Sequence, residues 1–530
     1  MNVIIRNVDI LDGSGSPAFR ADIGLEGDRI AEIGDLSVAT DDTGIDGTGL
    51  TAAPGFIDMH SHSDFTLPIN PRAESKVRQG VTTEVIGQCG SSPAPIDPIS
   101  GQGVMATHPY LPWEWSTFGE YLDYLRRQGL SVNVVPLVGH GMIRGTGMGL
   151  ADRSPTADDM RAMKRLITQA MDEGAWGLST GLIYPPSVYA STKELVELSR
   201  VVAERGGFYF SHIRGEEATL LKAVAEAIEI GERTGLPVQI AHFKASRPKN
   251  WSLLPQALAL VDDARARGLD VAADRYPYVA SSTGLSAQLP AWAHDGGRTA
   301  LLERLQLPHS RQHILAHLAA RSPHWDKIVI THSPNCPDFE SLSVAEIAER
   351  RGVDPAETTL DILLEAEARV SVVHFGMNEE NLRRVLRHPA VMIGSDGSAR
   401  LPKGPLGEGR AHPRSYGTFP RVLGKYARDE GVLSLPQAIR KMSSLPAERL
   451  GLSDRGHLAK GLKADLVLFN PNTIRDQATF TQPYQYPVGI EYVFVNGLAV
   501  VTPQGHSGAL PGQILPKTRI HTMSAFGITK

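Results

Sequence analysis

The sequence predicts an α/β protein: a (β/α)8 TIM-like barrel, a small β-sandwich domain built from both termini, and an insertion near the barrel mouth. Two observations lead to this class. Short strand-like segments occupy both ends of the 530-residue chain. Between them, apolar strand-like segments alternate with helix-like segments at intervals of roughly 30 residues, the rhythm of a parallel sheet with crossover helices.

The small domain is predicted from the terminal segments. Near the N-terminus, strand-like runs are separated mostly by Gly, Asp, Asn and Ser, which are turn residues. Near the C-terminus, Asn496-Gly497 separates two apolar runs, and Asn-Gly in that position is a strong hairpin signal. We therefore assign residues 1–54 and 451–530 to one small β domain.

The barrel is predicted over residues 55–450. Helix-like segments at 157–173 and 216–234 lie between its strands, the second with apolar residues at helical spacing. The stretch 285–386 is too long for one connection and is interpreted as an insertion, with strand-like pieces at 327–331 and 370–374. The eight predicted strands end at His60, Cys89, His140, Thr180, His212, His242, Tyr276 and Asp396.

Composition narrows the range of functions. The formal net charge is −5 without a basic stripe, so nucleic acid is not an expected partner. No apolar run approaches the roughly 20 residues needed to cross a bilayer, and the N-terminus lacks a secretory pattern. We expect a cytoplasmic protein without membrane association. The oligomeric state is left open, and two cysteines cannot form a disulfide framework.

Metal-binding side chains recur where the predicted strands end. His60 and His62 are two residues apart, so on a strand they point to one face, although an isolated pair of this kind could also lie on an exposed loop. Histidine, thiolate and carboxylate donors that leave one coordination position open are typical of catalytic zinc. An inert buried thiol is the alternative for Cys89, and Cys336 is interpreted as structural or exposed. The six candidate ligands are His60, His62, Cys89, His212, His242 and Asp396.

The chain resembles the amidohydrolase superfamily and, within it, the N-acyl-D-amino-acid deacylases (D-aminoacylases). The similarity extends over essentially the whole chain. His-X-His alone would indicate only the superfamily, and the surroundings of Cys89 narrow the resemblance. The motifs that carry it are 53–64 (APGFIDMHSHSD), 80–90 (GVTTEVIGQCG), 211–216 (SHIRGE), 241–244 (AHFK), 276–278 (YPY), 393–397 (IGSDG), 412–414 (HPR) and 463–467 (KADLV).

The resemblance implies a ligand arrangement. Many amidohydrolases bridge two metals with a carboxylated lysine on the fourth strand, but residues 177–180 (GLST) hold no lysine or glutamate. In D-aminoacylases a cysteine from the second strand takes that place, which here is Cys89. Cys89, His212 and His242 are then one tight zinc site, and His60, His62 and Asp396 frame a second site, weak or empty.

The resemblance also implies a reaction, hydrolysis of the N-acyl bond of an N-acyl-D-amino acid. Asp396 is expected to take the proton from the attacking water and return it to the leaving amine; alternatively, it only completes the metal shell. Lys244, Tyr276 and Arg414 are expected to hold the substrate α-carboxylate, and Tyr184 the acyl amide. Arg214 is a further candidate, or a structural partner of Glu216.

An apolar substrate side chain is expected because Leu289 occupies about the position where relatives that accept acidic D-amino acids have an arginine, although Arg298 follows shortly. Two rival functions are kept open. One is an amidohydrolase acting on N-formyl amines, cyclic imides or small peptides. The other is a non-catalytic scaffold with the same fold, against which the filled ligand positions argue.

Overall fold

The structure is a computed structural model that describes residues 1–37, 43–97, 101–321 and 324–517. Its strands are β1 (Val3–Ile10), β2 (Phe19–Glu26), β3 (Arg29–Gly34), β4 (Thr43–Asp46), β5 (Thr51–Pro54), β6 (Phe56–Asp58), β7 (Val81–Ile86), β8 (Asn133–Pro136), β9 (Val138–Gly139), β10 (Gly177–Gly181), β11 (Phe208–His212), β12 (Val238–Ile240), β13 (Val271–Arg275), β14 (Ser281–Gly284), β15 (Ile328–His332), β16 (Ser371–His374), β17 (Val391–Ile393), β18 (Leu466–Phe469), β19 (Ile490–Val495), β20 (Leu498–Thr502) and β21 (Gly505–His506).

The helices pack mainly outside these strands. They are α1 (Glu74–Val77), α2 (Gln102–Thr107), α3 (Phe118–Gln128), α4 (His140–Met148), α5 (Ala157–Asp172), α6 (Thr192–Ala203), α7 (Leu220–Thr234), α8 (Leu254–Ala266), α9 (Arg298–Gln306), α10 (Pro308–Arg321), α11 (Val344–Arg351), α12 (Pro355–Glu365), α13 (Glu379–Arg387), α14 (Arg414–Arg421), α15 (Leu435–Met442) and α16 (Ser444–Leu450), with a π-helical segment at Val422–Asp429. None of the helices in the described residues is long and apolar enough to cross a membrane.

The predicted parallel barrel is present. Strands β6, β7 and β8 pair in parallel, as do β9 to β13 and β17. The third strand is interrupted at Leu137, whose amide still donates to the carbonyl of Ile86. Most of these strands are buried along their whole length, as expected for parallel strands covered on both faces.

The ring closes between β17 and β6 without a regular ladder. This seam is joined by the amide of Met59, 3.4 Å from the carbonyl oxygen of Ile393, and the amide of Asp396, 2.7 Å from that of His60. Ser61 and Gly397 form an isolated parallel bridge beside them. The seam therefore depends on few main-chain bonds, and side chains must contribute to its geometry.

Strands from both ends of the chain form one nine-stranded sheet, in the order β21-β20-β19-β18-β5-β1-β2-β3 with β4 beside β1. Side chains from both ends, including Ile5, Leu466 and Phe494, share one buried cluster. The boundaries 1–54, 55–450 and 451–530 stay predictions, and residues 518–530 lie outside the described residues.

Helices α9 to α12 and strands β15 and β16 lie within the predicted insertion. Together with β14, which ends just before it, these strands form a small antiparallel sheet in the order β14-β16-β15. Its strands β15 and β16 correspond to the two strand-like pieces expected there. These elements have their own hydrophobic cluster, separate from the clusters of the barrel, with Leu285, Leu301, Ile330 and Leu360 among its members. The inserted region is thus a separately packed lobe above the barrel.

Helix positions differ slightly from the sequence prediction. Helix α5 agrees with the segment predicted at 157–173, and Thr156 caps its N-terminus by accepting from the amide of Asp159, as the capping pattern favours. Helix α7 begins at Leu220 instead of residue 216, and Glu216 lies in the preceding loop, where it contacts His242 and Lys244.

Candidate metal centre

All six predicted ligands lie at or just past the C-terminal ends of barrel strands, where active sites of this architecture are found. His212 is the last residue of β11, and the others follow β6, β7, β12 and β17 within a few residues. Their ligand atoms form two groups, each with all atoms within 4.8 Å of one another. The first donor set is Cys89, His212 and His242; the second donor set is His60, His62, Cys89 and Asp396.

The first donor set is compact, with both histidines buried and Cys89 half-buried. The Cys89 sulfur lies 3.7 Å from Nε2 of His242, which lies 2.9 Å from Nδ1 of His212. The Nε2 atom of His212 is buried without a hydrogen-bond partner within the described part of the chain. Two imidazoles and a thiol arranged in this way fit a zinc ion.

The second donor set lies across the barrel seam. Nε2 of His60 is 3.3 Å from the Cys89 sulfur and 3.5 Å from Oδ1 of Asp396. Nε2 of His62 is 3.0 Å from the same carboxylate oxygen. Cys89 belongs to both sets, which is the arrangement expected of a bridging thiolate.

The backbone at three ligands is in the left-handed region: φ is +54° at Cys89, +36° at His242 and +51° at Asp396. This conformation costs energy for a residue with a side chain and clusters at functional sites. In each case the turn comes directly after a strand, where the chain leaves the sheet at the barrel mouth.

The donors change one another's protonation. Burial raises the pKa of the Cys89 thiol, but His60, His212 and His242 outweigh burial and lower that pKa well below its usual value. Burial also raises the pKa of Asp396, and Arg414 and the histidines reverse this effect. Thiolate and carboxylate are the forms that bind zinc.

Two acidic residues that sequence reasoning missed hold the histidines. Asp274 on β13 lies 3.1 Å from Nδ1 of His60 and accepts from the main-chain amide of His242 at 2.8 Å. Glu216 lies 3.0 Å from Nδ1 of His242. Carboxylates on the second ring nitrogen orient metal-binding histidines. The signal for Asp274 in the sequence was an acid that directly follows three apolar residues of a predicted strand, at 271–273.

The donors open into a cavity of about 560 Å³. His62, Cys89, His212, His242 and Asp396 form its floor, with Lys244, Tyr276 and Arg414 beside them. Its outer wall is largely apolar and includes Met142, Leu150 and Ile183, and Arg298 of the inserted lobe also faces it. A cavity of this size suits a small-molecule ligand.

Lys244 and Arg414 both line the cavity, and each contacts a carboxylate of the protein. The ammonium of Lys244 pairs with Glu216, and Nη1 of Arg414 lies 2.7 Å from Oδ2 of Asp396. The Arg414 guanidinium also lies 5.0 Å from the centre of the Tyr276 ring.

Tyr276 and Tyr184 line the cavity as well. The Tyr276 hydroxyl is buried and makes no hydrogen bond to any residue that the structure describes. The Tyr184 hydroxyl lies 3.1 Å from Oγ1 of Thr283, and its ring meets the His212 ring edge-on at 5.1 Å.

Two expectations are corrected. Leu289, expected in the substrate pocket, is absent from the cavity wall because it packs in the core of the inserted lobe. Arg214, suggested as a partner of Glu216, instead binds Glu226, with its Nε 2.9 Å from Oε2. The turn after β11 directs Glu216 toward His242 and Lys244, so a different acid meets Arg214.

The chain is similar to known proteins over nearly its whole length. The model of the amidohydrolase family matches residues 43–501. The chain is 39% identical to an N-acyl-D-glutamate deacylase of Alcaligenes xylosoxydans xylosoxydans, over 97% of this chain and 96% of that protein. It is 37% identical to a D-aminoacylase of the same organism, over 98% of both chains.

A solved structure is similar too. The N-acyl-D-glutamate deacylase of Bordetella bronchiseptica, in complex with zinc and a phosphonate inhibitor that mimics the tetrahedral intermediate, superposes with a TM-score of 0.84. Its identity to this chain is 36%, with 97% of this chain and 99% of that chain covered. The chain therefore belongs to the amidohydrolase family and, within it, to the D-aminoacylases and related N-acyl-D-amino-acid deacylases.

Proposed function

We propose that this protein is a zinc-dependent hydrolase of N-acyl-D-amino acids, which releases a carboxylate and the free D-amino acid. The observation that carries the proposal is the thiol of Cys89 shared by two groups of converging donors at the barrel mouth. Two relatives that are similar over nearly the full chain are named as an N-acyl-D-glutamate deacylase and a D-aminoacylase. The preference for D substrates is inferred from those relatives.

Cys89, His212 and His242 are proposed to hold the tight zinc ion, and His60, His62 and Asp396 to complete a weaker site with Cys89. When bound, zinc supplies a Lewis acid that polarises the amide carbonyl and makes water more acidic. Asp274 and Glu216 hold the Nδ1 atoms of His60 and His242, so that the Nε2 atom of each faces the Cys89 sulfur.

Asp396 is proposed as the proton carrier. Its lowered pKa keeps it ionised near neutral pH, mainly because Arg414 and His60 outweigh the effect of burial. It accepts the proton of the attacking water while the carbon–oxygen bond forms, and returns it to the nitrogen as the carbon–nitrogen bond breaks. Arg414 fixes one carboxylate oxygen, Oδ2, and the other faces the histidines.

Arg414, Tyr276 and Lys244 are proposed to bind the substrate α-carboxylate. A guanidinium has five donors, so the contact of Arg414 with Asp396 leaves others for the substrate. The Tyr276 hydroxyl, without a hydrogen-bond partner among the described side chains and main chain, provides another donor. Tyr184 is placed beside His212 to contact the acyl amide.

The substrate side chain has two candidates. An apolar side chain fits Met142, Leu150 and Ile183. An acidic side chain is favoured by Arg298, because its Nη1 atom is buried and donates no hydrogen bond to any of the described residues, while the residue faces the cavity. A buried guanidinium nitrogen is costly without a partner, and a substrate carboxylate would supply one.

The test is hydrolysis of a panel of N-acetyl-D- and N-acetyl-L-amino acids, with zinc content measured on the same protein. We expect zinc in the protein and turnover of D substrates. Comparing each substrate with an analogue that lacks the α-carboxylate separates a deacylase from an enzyme acting on N-formyl amines, cyclic imides or small peptides. Protein without zinc and without turnover of any substrate would support the scaffold alternative.

A further inference from the structure

A buried polar network lies behind the second donor set, and the proposed chemistry does not use it. Its centre is Lys76 on α1, whose side chain is fully buried. The ammonium lies 2.8 Å from Oδ2 of Asp58 and 3.2 Å from Oε1 of Glu84, both carboxylates also fully buried. A buried charge of this kind persists only when it is paired and hydrogen-bonded.

The same ammonium crosses the barrel seam. It donates to Oγ of Ser395 at 2.7 Å and to the carbonyl oxygen of Gly397 at 3.0 Å. Ser395 and Gly397 flank Asp396 in sequence. Asp58 ends β6 on the other side of the seam, and its Oδ1 accepts from the amide of Ser395 at 2.7 Å. Lys76 and Asp58 therefore join the two strands where the regular ladder is missing.

Glu84 extends the network to the histidine segment. Its Oε1 accepts from Oγ of Ser61 at 2.7 Å and from Oγ of Ser63 at 2.8 Å. Ser61 and Ser63 alternate in sequence with His60 and His62. The network thus holds the residues that flank His60, His62 and Asp396. Within the part of the chain that the structure describes, the hydrogen bonds of the Lys76 ammonium go to Asp58, Ser61, Ser395 and Gly397 and not to a residue of the first donor set.

We propose that Lys76 is a positioning residue that sets the spacing of His60, His62 and Asp396 across the barrel seam, and with it the affinity of the second donor set for metal. The ammonium acts on the main chain and serines around the ligands and touches neither ligand nor substrate. This inference rests on the proposed metal binding, but it concerns the second donor set alone.

The test compares Lys76→Met with Lys441→Met. Lys441 is a matched control, since it is also a buried lysine, and its ammonium donates to the carbonyl oxygens of His388 and Val391, away from every donor. Zinc binding is measured by competition with a chromophoric chelator, and kcat and KM are measured on the same samples. Because Lys76→Met leaves two buried carboxylates without their cation, Ser395→Ala serves as a milder variant.

We expect Lys76→Met to weaken the second zinc equivalent by about 10–100-fold, the range typical of residues that orient ligands, while the first equivalent stays bound. Ser395→Ala should weaken the second zinc equivalent by a smaller factor, and Lys441→Met should bind zinc as the wild type does. If the wild type binds a single zinc equivalent, Lys76→Met is expected to have a lower kcat than the wild type, with KM and zinc content unchanged, because Asp396 is displaced.

Equal zinc affinities and an equal kcat in Lys76→Met and Lys441→Met would overturn the inference. So would an equal loss of both zinc equivalents in Lys76→Met and Ser395→Ala, since that result indicates general damage. A wild type that binds no zinc would instead refute the proposed function, so the two failures are distinguishable.

Discussion

The two donor sets share one sulfur atom but lie on differently built parts of the barrel. The first set takes His212 and His242 from β11 and β12, which pair with each other in a regular parallel ladder. The second set takes its remaining ligands from either side of the β17–β6 seam, where only isolated bonds join the strands. Sheet hydrogen bonds thus join the strands that carry the first set, and buried side chains join the strands that carry the rest of the second.

This difference bears on metal binding. A rigid ladder places two imidazoles at a fixed spacing, so metal binding costs little reorganisation. Ligands across the seam depend on Lys76, Asp58 and Glu84 for their spacing. We therefore expect the first set to retain zinc under conditions in which the second set loses it.

The largest effect is expected from Cys89→Ala, which removes the donor common to both sets. Both zinc affinities should fall by more than the roughly 100-fold that marks the upper range for residues behind the ligands, and turnover should be lost. Zinc content after dialysis and kcat/KM check this. Cys336→Ala is the control, since that thiol belongs to neither group. Full zinc content in Cys89→Ala would contradict the assignment of Cys89 as a donor common to both sets.

Asp396→Asn is expected to have the next largest effect. The amide keeps the shape of the side chain but accepts a proton poorly, so kcat should fall by about 10²–10⁴-fold. Zinc at the first donor set should remain, because Asp396 is not a member of it. Loss of the tight zinc in this variant would show that the two sets cannot be separated.

His62→Ala should act on the second donor set alone. Removing one of its imidazoles is expected to weaken the second zinc equivalent at least about 10-fold, with the first equivalent unchanged. Calorimetric zinc titration of the metal-free variant measures both. His140→Ala provides a control, because that buried histidine contacts Ser187 and lies outside both sets. Weaker binding of both zinc equivalents in His62→Ala would contradict the expectation.

Arg298→Met is expected to have the smallest effect, and it concerns neither donor set. If the substrate side chain is acidic, loss of one charged hydrogen bond should lower kcat/KM for N-acetyl-D-glutamate by about tenfold and leave zinc binding unchanged. Activity on an apolar substrate such as N-acetyl-D-leucine should be retained. Equal activity of variant and wild type on both substrates would assign the guanidinium no part in selection.

The sequence was sufficient to predict that the six candidate donors converge, because each lies at or just past the end of a strand, and parallel strands bring their C-terminal ends together. It was not sufficient for the residues behind them. Lys76 lies on a short helix with no visible link to Ser395, more than 300 residues away. Such partners are set by tertiary packing, which strand periodicity does not encode.

Leu289 shows the opposite error. Its position in sequence suggested the substrate pocket, but whether a residue of an insertion faces the barrel or its own core depends on how the inserted lobe packs. The lobe has its own cluster, and Leu289 belongs to it. This part of the chain contributes Arg298 and the β14 residues Ser281, Ser282 and Thr283 to the cavity wall instead.

The separate core of the inserted lobe has a practical meaning for engineering and for divergence among relatives. A lobe that buries its own apolar side chains can be exchanged as a module, provided that its polar links to the barrel loops, such as the ion pair of Arg321 with Glu217, are kept. Exchange of the stretch from β14 to β16 is then expected to change substrate selectivity while the two donor sets keep their positions.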